Sequence, residues 1–169
     1  MSPDEQPEAP KALRSDSAAD RIRGYVYGTI GVLVALGSLG AESKSLRAPV
    51  AALVVFVGAI AIWLAHAFSE FVGERLREGR RLGMTGTTTV LRSSWPIVSA
   101  ALPSVAFICL GWAGLWSVPT SLRGSTILAV VALGIAGLLA AWVAGERGLA
   151  ATLDVAAAAS LGVVIALLE

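Results

Sequence analysis

Five nearly uncharged apolar blocks run along the chain, at residues 23–40, 49–72, 96–117, 125–144 and 149–168, with short polar interruptions between them. A helix that crosses a bilayer needs about 20 mainly apolar residues, because every backbone group in hydrocarbon has to be hydrogen-bonded within its own segment. Each block approaches that length, so the pattern predicts an all-α polytopic bundle of five transmembrane helices. The first block is the shortest, closed by Glu42, Lys44 and Arg47. A cleaved signal peptide is a poorer reading of it, since the leading region is long and acidic as well as basic. Residues 1–20, with Pro3, Pro7 and Pro10 and no apolar periodicity, read as a disordered tail ahead of a single membrane domain over 21–169.

Composition agrees with the pattern. Of 169 residues, 56% are hydrophobic and 15% charged, with mean hydropathy +0.74, whereas a soluble domain is about one quarter charged. The numbers argue against a soluble enzyme, and no serine, histidine and acid set is arranged for lipid hydrolysis, so a non-enzymatic membrane protein is expected. The position of the charge then sets orientation. Ten of the thirteen Lys and Arg lie in the tail, in the connection 73–95 and in the turn 145–148, and only Lys44, Arg47 and Arg123 lie on the other side. By the positive-inside rule the N-terminus and the connection 73–95 are cytoplasmic and the C-terminus is outside, as for a multi-pass protein of a bacterial inner membrane. Arg75, Arg77, Arg80 and Arg81, next to the second span, suit anionic lipid headgroups, with no indication of nucleic acid. A single cysteine, Cys109, excludes an intrachain disulfide.

Small residues recur at helical spacing. Gly24, Gly28, Gly31 and Ala35 share one face of the first span, and Gly134, Gly137 and Ala141 one face of the fourth; such faces admit close helix approach, within the chain or across a homodimer. Pro103 predicts a kink in the third span by removing one donor and crowding the Ser99 carbonyl. Beyond the second span, Glu74 to Arg81 can continue the helix, and Gly83 to Thr89 reads as a turn with an extended or interfacial approach to the third span.

Polar residues inside apolar blocks carry the functional signal. His66, Glu70 and Glu74 follow at four-residue intervals, which places them on one face of the second helix, and Asp154 falls at similar depth in the fifth block. A carboxylate at that depth has to face the bundle or a water-filled cavity, pair with a cation, or take up a proton. Two outcomes follow: His66, Glu70 and Asp154, with Glu74 at the entrance, form a cytoplasmic-side cation or proton site, or the acids pair with Arg21, Arg23 or Arg147 and lock helix ends. Tyr25, Tyr27 and Thr29 offer hydroxyls at the same level. Imidazole and carboxylates suit iron, manganese or zinc, so a divalent metal is compatible with the residues and none is required. Cation or proton transport is the leading functional expectation, with a nonconducting scaffold or accessory subunit as the alternative.

The segment from Trp63 to Leu76, after a first span opened by Arg23-Gly24-Tyr25-Val26-Tyr27-Gly28-Thr29, resembles a group of uncharacterised actinobacterial integral membrane proteins. The five-span plan, with a second helix that ends in a small residue and glutamate and runs into a cytoplasmic extension, also resembles the vacuolar iron transporter family. That resemblance implies a dimer with first spans at its centre and Glu70 on a metal path. The family's acidic residue in the first span has no counterpart here, and the connection 73–95 carries only Glu74 and Glu78 among five arginines.

Overall fold

The computed structural model describes residues 9–40, 46–78 and 84–144, together with positions 152, 156, 157, 160 and 162–164. All the described elements are helical: α1 (Ala9–Gly40), α2 (Ala48–Glu78), α3 (Met84–Ser93), α4 (Pro96–Ser99), α5 (Leu102–Trp112) and α6 (Val118–Val143). At 1.5 Å per residue the 32, 31 and 26 residues of α1, α2 and α6 are each longer than the ~30 Å hydrocarbon layer. The chain is therefore an all-α, multi-spanning membrane protein. Three described helices are long and apolar enough to cross, over Ala18–Gly40, Ala48–Leu76 and Val118–Val143; a fourth crossing arises when the bent pair Gly86–Ser99 and Leu102–Trp112 is taken as one. The fifth apolar block, 149–168, lies largely outside the described residues.

Each helix departs from its apolar block for a local reason. The first element begins at Ala9, inside the stretch that composition assigns to a tail, and residues 1–8 lie outside the described residues. The second carries on past Val72 to Glu78, as the spacing of its charges allows. The sixth starts at Val118, about two turns ahead of the block, because Ser117 accepts from the Thr120 amide and Pro119 occupies the first turn, where its missing N–H costs nothing. The approach to the third span differs most from expectation: Met84–Ser93 is helix rather than turn and extended chain.

Where Pro103 predicts a kink, the third span breaks. The α4 helix stops at Ser99, the Ala101 amide turns to Val98 at 3.0 Å, and the two halves meet at 45°. Pro103 has no amide to close the next bond, which would go to Ser99, so the break sits one turn before it.

Small residues let the bundle close. Buried positions on α6 recur at three and four residues, through Leu122, Ser125, Ala129, Leu133 and Ala136, and face α1 and α5. To the central apolar cluster α2 contributes Ala48, Ala51, Ala52, Val55 and Ala59, and α1 contributes Val32, Leu33, Leu36 and Leu39. The opposite faces are apolar and exposed, with Leu53, Phe56, Val57, Leu64 and Phe68 on α2 and Ile127, Val131, Ile135, Leu138 and Trp142 on α6. A soluble monomer rarely leaves so continuous an apolar surface uncovered; here lipid is the natural cover.

The glycine face of α1 is used inside the chain. A Cβ on Gly24 would touch Pro96 and Ile97, one on Gly28 would overlap the Ile97 carbonyl and stand 2.9 Å from the Ala100 Cβ, and one on Gly31 would overlap the end of Ile62. Gly134 on α6 faces open space among the described residues. Gly137 also lies on α6, half-buried. Two close approaches escape the sequence pattern: Gly124 against the Phe107 ring, and Gly111 against Ser121 and Trp116.

Candidate functional site

The polar residues of α2 gather where it meets α1 and the junction of α3 with α4. Helical spacing places His66 and Glu70 one turn apart, and their side chains meet with Nε2 3.2 Å from Oε1. The other Glu70 oxygen, Oε2, lies 3.2 Å from the hydroxyl of Ser94, in the two-residue link between α3 and α4. That hydroxyl also lies 2.9 Å from the Val90 carbonyl, so its single proton is shared between two acceptors. Ser94 is buried, while His66 and Glu70 keep 27% and 35% of their side-chain surface exposed.

Aromatic rings frame the pair. The Tyr27 ring on α1 stands 5.9 Å from the imidazole, tilted by 36°, so the first span meets the pair through a ring face. Of the other two hydroxyl candidates there, Thr29 is buried and donates to the Tyr25 carbonyl of its own helix at 2.8 Å, and Tyr25 lines a neighbouring cleft. One turn above His66, the Trp63 indole N–H donates to the Leu91 carbonyl at 3.3 Å and the ring meets Trp95 edge-on at 5.9 Å. Trp63 and Glu70 therefore hold α3 and its link against α2.

The pairing of acids with helix-end arginines takes a different form from the one the charges suggest. Arg23 pairs with Asp20, three residues earlier on α1, and both are more than half exposed. Glu70 turns instead to His66 and Ser94. Glu74 continues the same face one turn on and is itself engaged in an interaction. Asp154 and Arg147 lie outside the described residues.

For a metal the described donors fall short. Among the described residues no group of three or more His, Cys, Asp and Glu converges, while a protein-held transition metal is usually gripped by at least three. His66 and Glu70 alone give two donors, with Asp154 the remaining candidate. Chemically, the arrangement sets an imidazole against one oxygen of a carboxylate and a hydroxyl against the other.

Ser94 and Trp63 are the members that sequence reasoning misses. Each acts across 24 to 28 residues of chain. The only local signal is a pair of serines ahead of Trp95 and Pro96, which says nothing about α2. Comparison with known protein families, with curated proteins and with solved structures finds no match for this chain.

Proposed function

We propose that this multi-pass membrane protein moves protons, or a cation in exchange for protons, through a site built on His66 and Glu70. The observation that carries the reading is the linked set of Ser94 hydroxyl, Glu70 carboxylate and His66 imidazole, whose two ionisable members lie on an apolar helix and are part-exposed. Intramembrane ionisable residues are expensive, and a site that uses them is the usual reason for their presence. Glu74, one turn beyond, collects ions at the mouth, and Asp154 joins from the fifth block. Iron, manganese and zinc are the cations that imidazole and carboxylate donors suit. The apolar blocks support five spans, and the basic residues a cytoplasmic N-terminus and an outside C-terminus if the membrane is a bacterial inner one. With Gly24, Gly28 and Gly31 occupied within the chain, the homodimer that the transporter resemblance implies would use another face, for which Gly134 is open among the described residues.

A second reading, a nonconducting scaffold or accessory subunit, has its own support. The same Glu70, together with Trp63, fastens α3 to α2, which is a structural task. Reconstitution into proteoliposomes separates the two. Flux is followed with a trapped pH dye under a proton gradient and by uptake of Fe, Mn or Zn. Transport that falls at least about tenfold in Glu70→Gln, as loss of a proton-transferring group requires, supports the site. Flux indifferent to both Glu70→Gln and Asp154→Asn removes it, and no flux of any kind with correctly folded protein favours the scaffold.

A further inference from the structure

Two recesses adjoin at Arg21. One is an apolar cleft of about 370 Å³ between α1, α4 and α6, walled by Ile22, Tyr25, Pro96, Ile135 and Leu139, with Arg21 at its edge. The other is a smaller polar pocket of about 240 Å³ between α1 and α3, lined by Asp20, Arg21, Thr89, Arg92 and Ser93. Its residues on α3 fall at three- and four-residue steps, so Thr89, Arg92 and Ser93 present one face to the pocket. Among the described residues no carboxylate pairs with Arg21 or Arg92, and the one acid present, Asp20, is held by Arg23. The Ser93 hydroxyl donates to the Val90 carbonyl and Thr89 is itself engaged, so the two guanidinium groups, unpaired among the described residues, are what the pocket offers an oxyanion, and Arg is the side chain whose fork fits a phosphate.

We propose that the two recesses are one site for an anionic phospholipid, with the phosphate between Arg21 and Arg92 and an acyl chain in the cleft against α6. Charge complementarity fixes the headgroup end, and the continuity of an apolar cleft with a basic pocket through one arginine fixes the length of the ligand to something with both parts. A free phosphate would use the pocket alone and leave the cleft without a role. Gly162 of the fifth apolar block lies against Val130 and Leu133, on a different face of α6 from Ile135 and Leu139. The occupant would tie α1, α3 and α6 together at the end of the bundle that carries Arg21.

The test uses the full chain, purified in detergent, delipidated, and titrated with phosphatidylglycerol or phosphatidylcholine of the same acyl chains, with retained lipid counted by native mass spectrometry. Phosphatidylglycerol is expected to be retained in preference, and Arg21→Gln with Arg92→Gln to weaken it by about thirtyfold, the sum of two surface arginines. Both arginines are exposed, so the double variant is expected to fold, and circular dichroism checks it. Ala132→Phe, which puts a ring in the cleft, is expected to lower retention of both lipids, and Ile135→Ala, which removes wall without adding bulk, gives the same readout if the larger side chain is not accommodated. Arg123→Gln, on an exposed position of α6 outside both recesses, is expected to change nothing. Equal retention of the two lipids, wild-type retention in the double arginine variant, or displacement of phosphatidylglycerol by millimolar inorganic phosphate would each overturn the proposal, the last by reducing the site to an anion pocket.

Discussion

Gly28 of α1 rests directly on the backbone carbonyl of Ile97, so closely that a Cβ there would stand 2.9 Å from the carbonyl carbon and overlap its oxygen. Backbone cannot rotate away as a side chain can, so Gly28→Ala has to push α1 off α4. Overpacking of this kind costs about 1–3 kcal/mol, against which alanine recovers up to about 1 kcal/mol of helix propensity. Gly134→Ala meets open space among the described residues and keeps only the gain. Reversible unfolding in mixed micelles is expected to rank Gly28→Ala below wild type and Gly134→Ala at or above it. A neutral Gly28→Ala would mean that α1 and α4 do not pack as described.

At the far end of the bundle Phe107 stacks on Trp116 at 4.6 Å, with Gly124 pressed against the phenyl edge. The ring lies between the indole and α6, so it has little room to turn. Gly124→Ala is expected to displace Phe107 and loosen the stack, at a cost of about 1–2 kcal/mol. Tryptophan fluorescence reads this directly, provided Trp63, Trp95, Trp112 and Trp142 are replaced by phenylalanine so that Trp116 reports alone. An unchanged emission maximum and quenching in Gly124→Ala would contradict the stacking.

How far the sequence speaks depends on the range of the interaction. The first, second and fourth apolar blocks become α1, α2 and α6 because length and hydrophobicity are local properties and the bilayer reads them locally. The small-residue face at Gly24, Gly28 and Gly31 is legible for the same reason, as helical spacing; that it meets α4 and Ile62 is not, since glycine announces a close approach without naming the neighbour. Pro103 announces a break in the third span through its missing amide. By contrast, the helix over Met84–Ser93 is hidden by a glycine and four threonines in its first two turns, all weak helix formers. Contacts to Trp63 and Glu70, made by residues 24 and 28 positions away, hold it there and outweigh that propensity. His66 and Glu70 are legible as a pair from their spacing, and the Ser94 that completes the set is not. Asp154 lies outside the described residues.

Ser125 is a fully buried hydroxyl on α6 that donates to the Ser104 carbonyl of α5 at 3.2 Å. Most other hydroxyls in these helices bond back within their own helix, as Thr126 does to Leu122, so this one is an interhelical tie. Interhelical hydrogen bonds in membranes contribute about 0.6 kcal/mol on average. Ser125→Ala is expected to cost about that much and to leave the fold intact. Ser125→Leu, which forces branched bulk into the same seam, is expected to cost several times more. A larger penalty for alanine than for leucine in the same unfolding assay would show that the site is governed by the hydrogen bond rather than by space.

The attachment of α3 to α2 rests on two side chains that can be cut separately. Trp63→Phe keeps most of the ring packing against Trp95 and loses the donor to the Leu91 carbonyl, whereas Ser94→Ala removes the hydroxyl from Glu70 and leaves both rings in place. A single neutral hydrogen bond contributes about 1 kcal/mol, and one to a charged group about twice that. Since α3 is short and has weak intrinsic propensity, losses of this size should appear first as local opening rather than global unfolding. Amide hydrogen exchange over residues 84–93 is therefore expected to quicken about fivefold or more in each variant, while α6 exchanges as in wild type. Transport then divides the two readings of Glu70. If the carboxylate is only a fastener, Ser94→Ala, which removes the hydrogen bond, should loosen α3 and lower flux at least as far as Glu70→Gln, which keeps an acceptor for Ser94. If it exchanges protons, Glu70→Gln should abolish flux, since its amide can still accept from Ser94 but carries no titrating proton, while Ser94→Ala should leave a substantial rate.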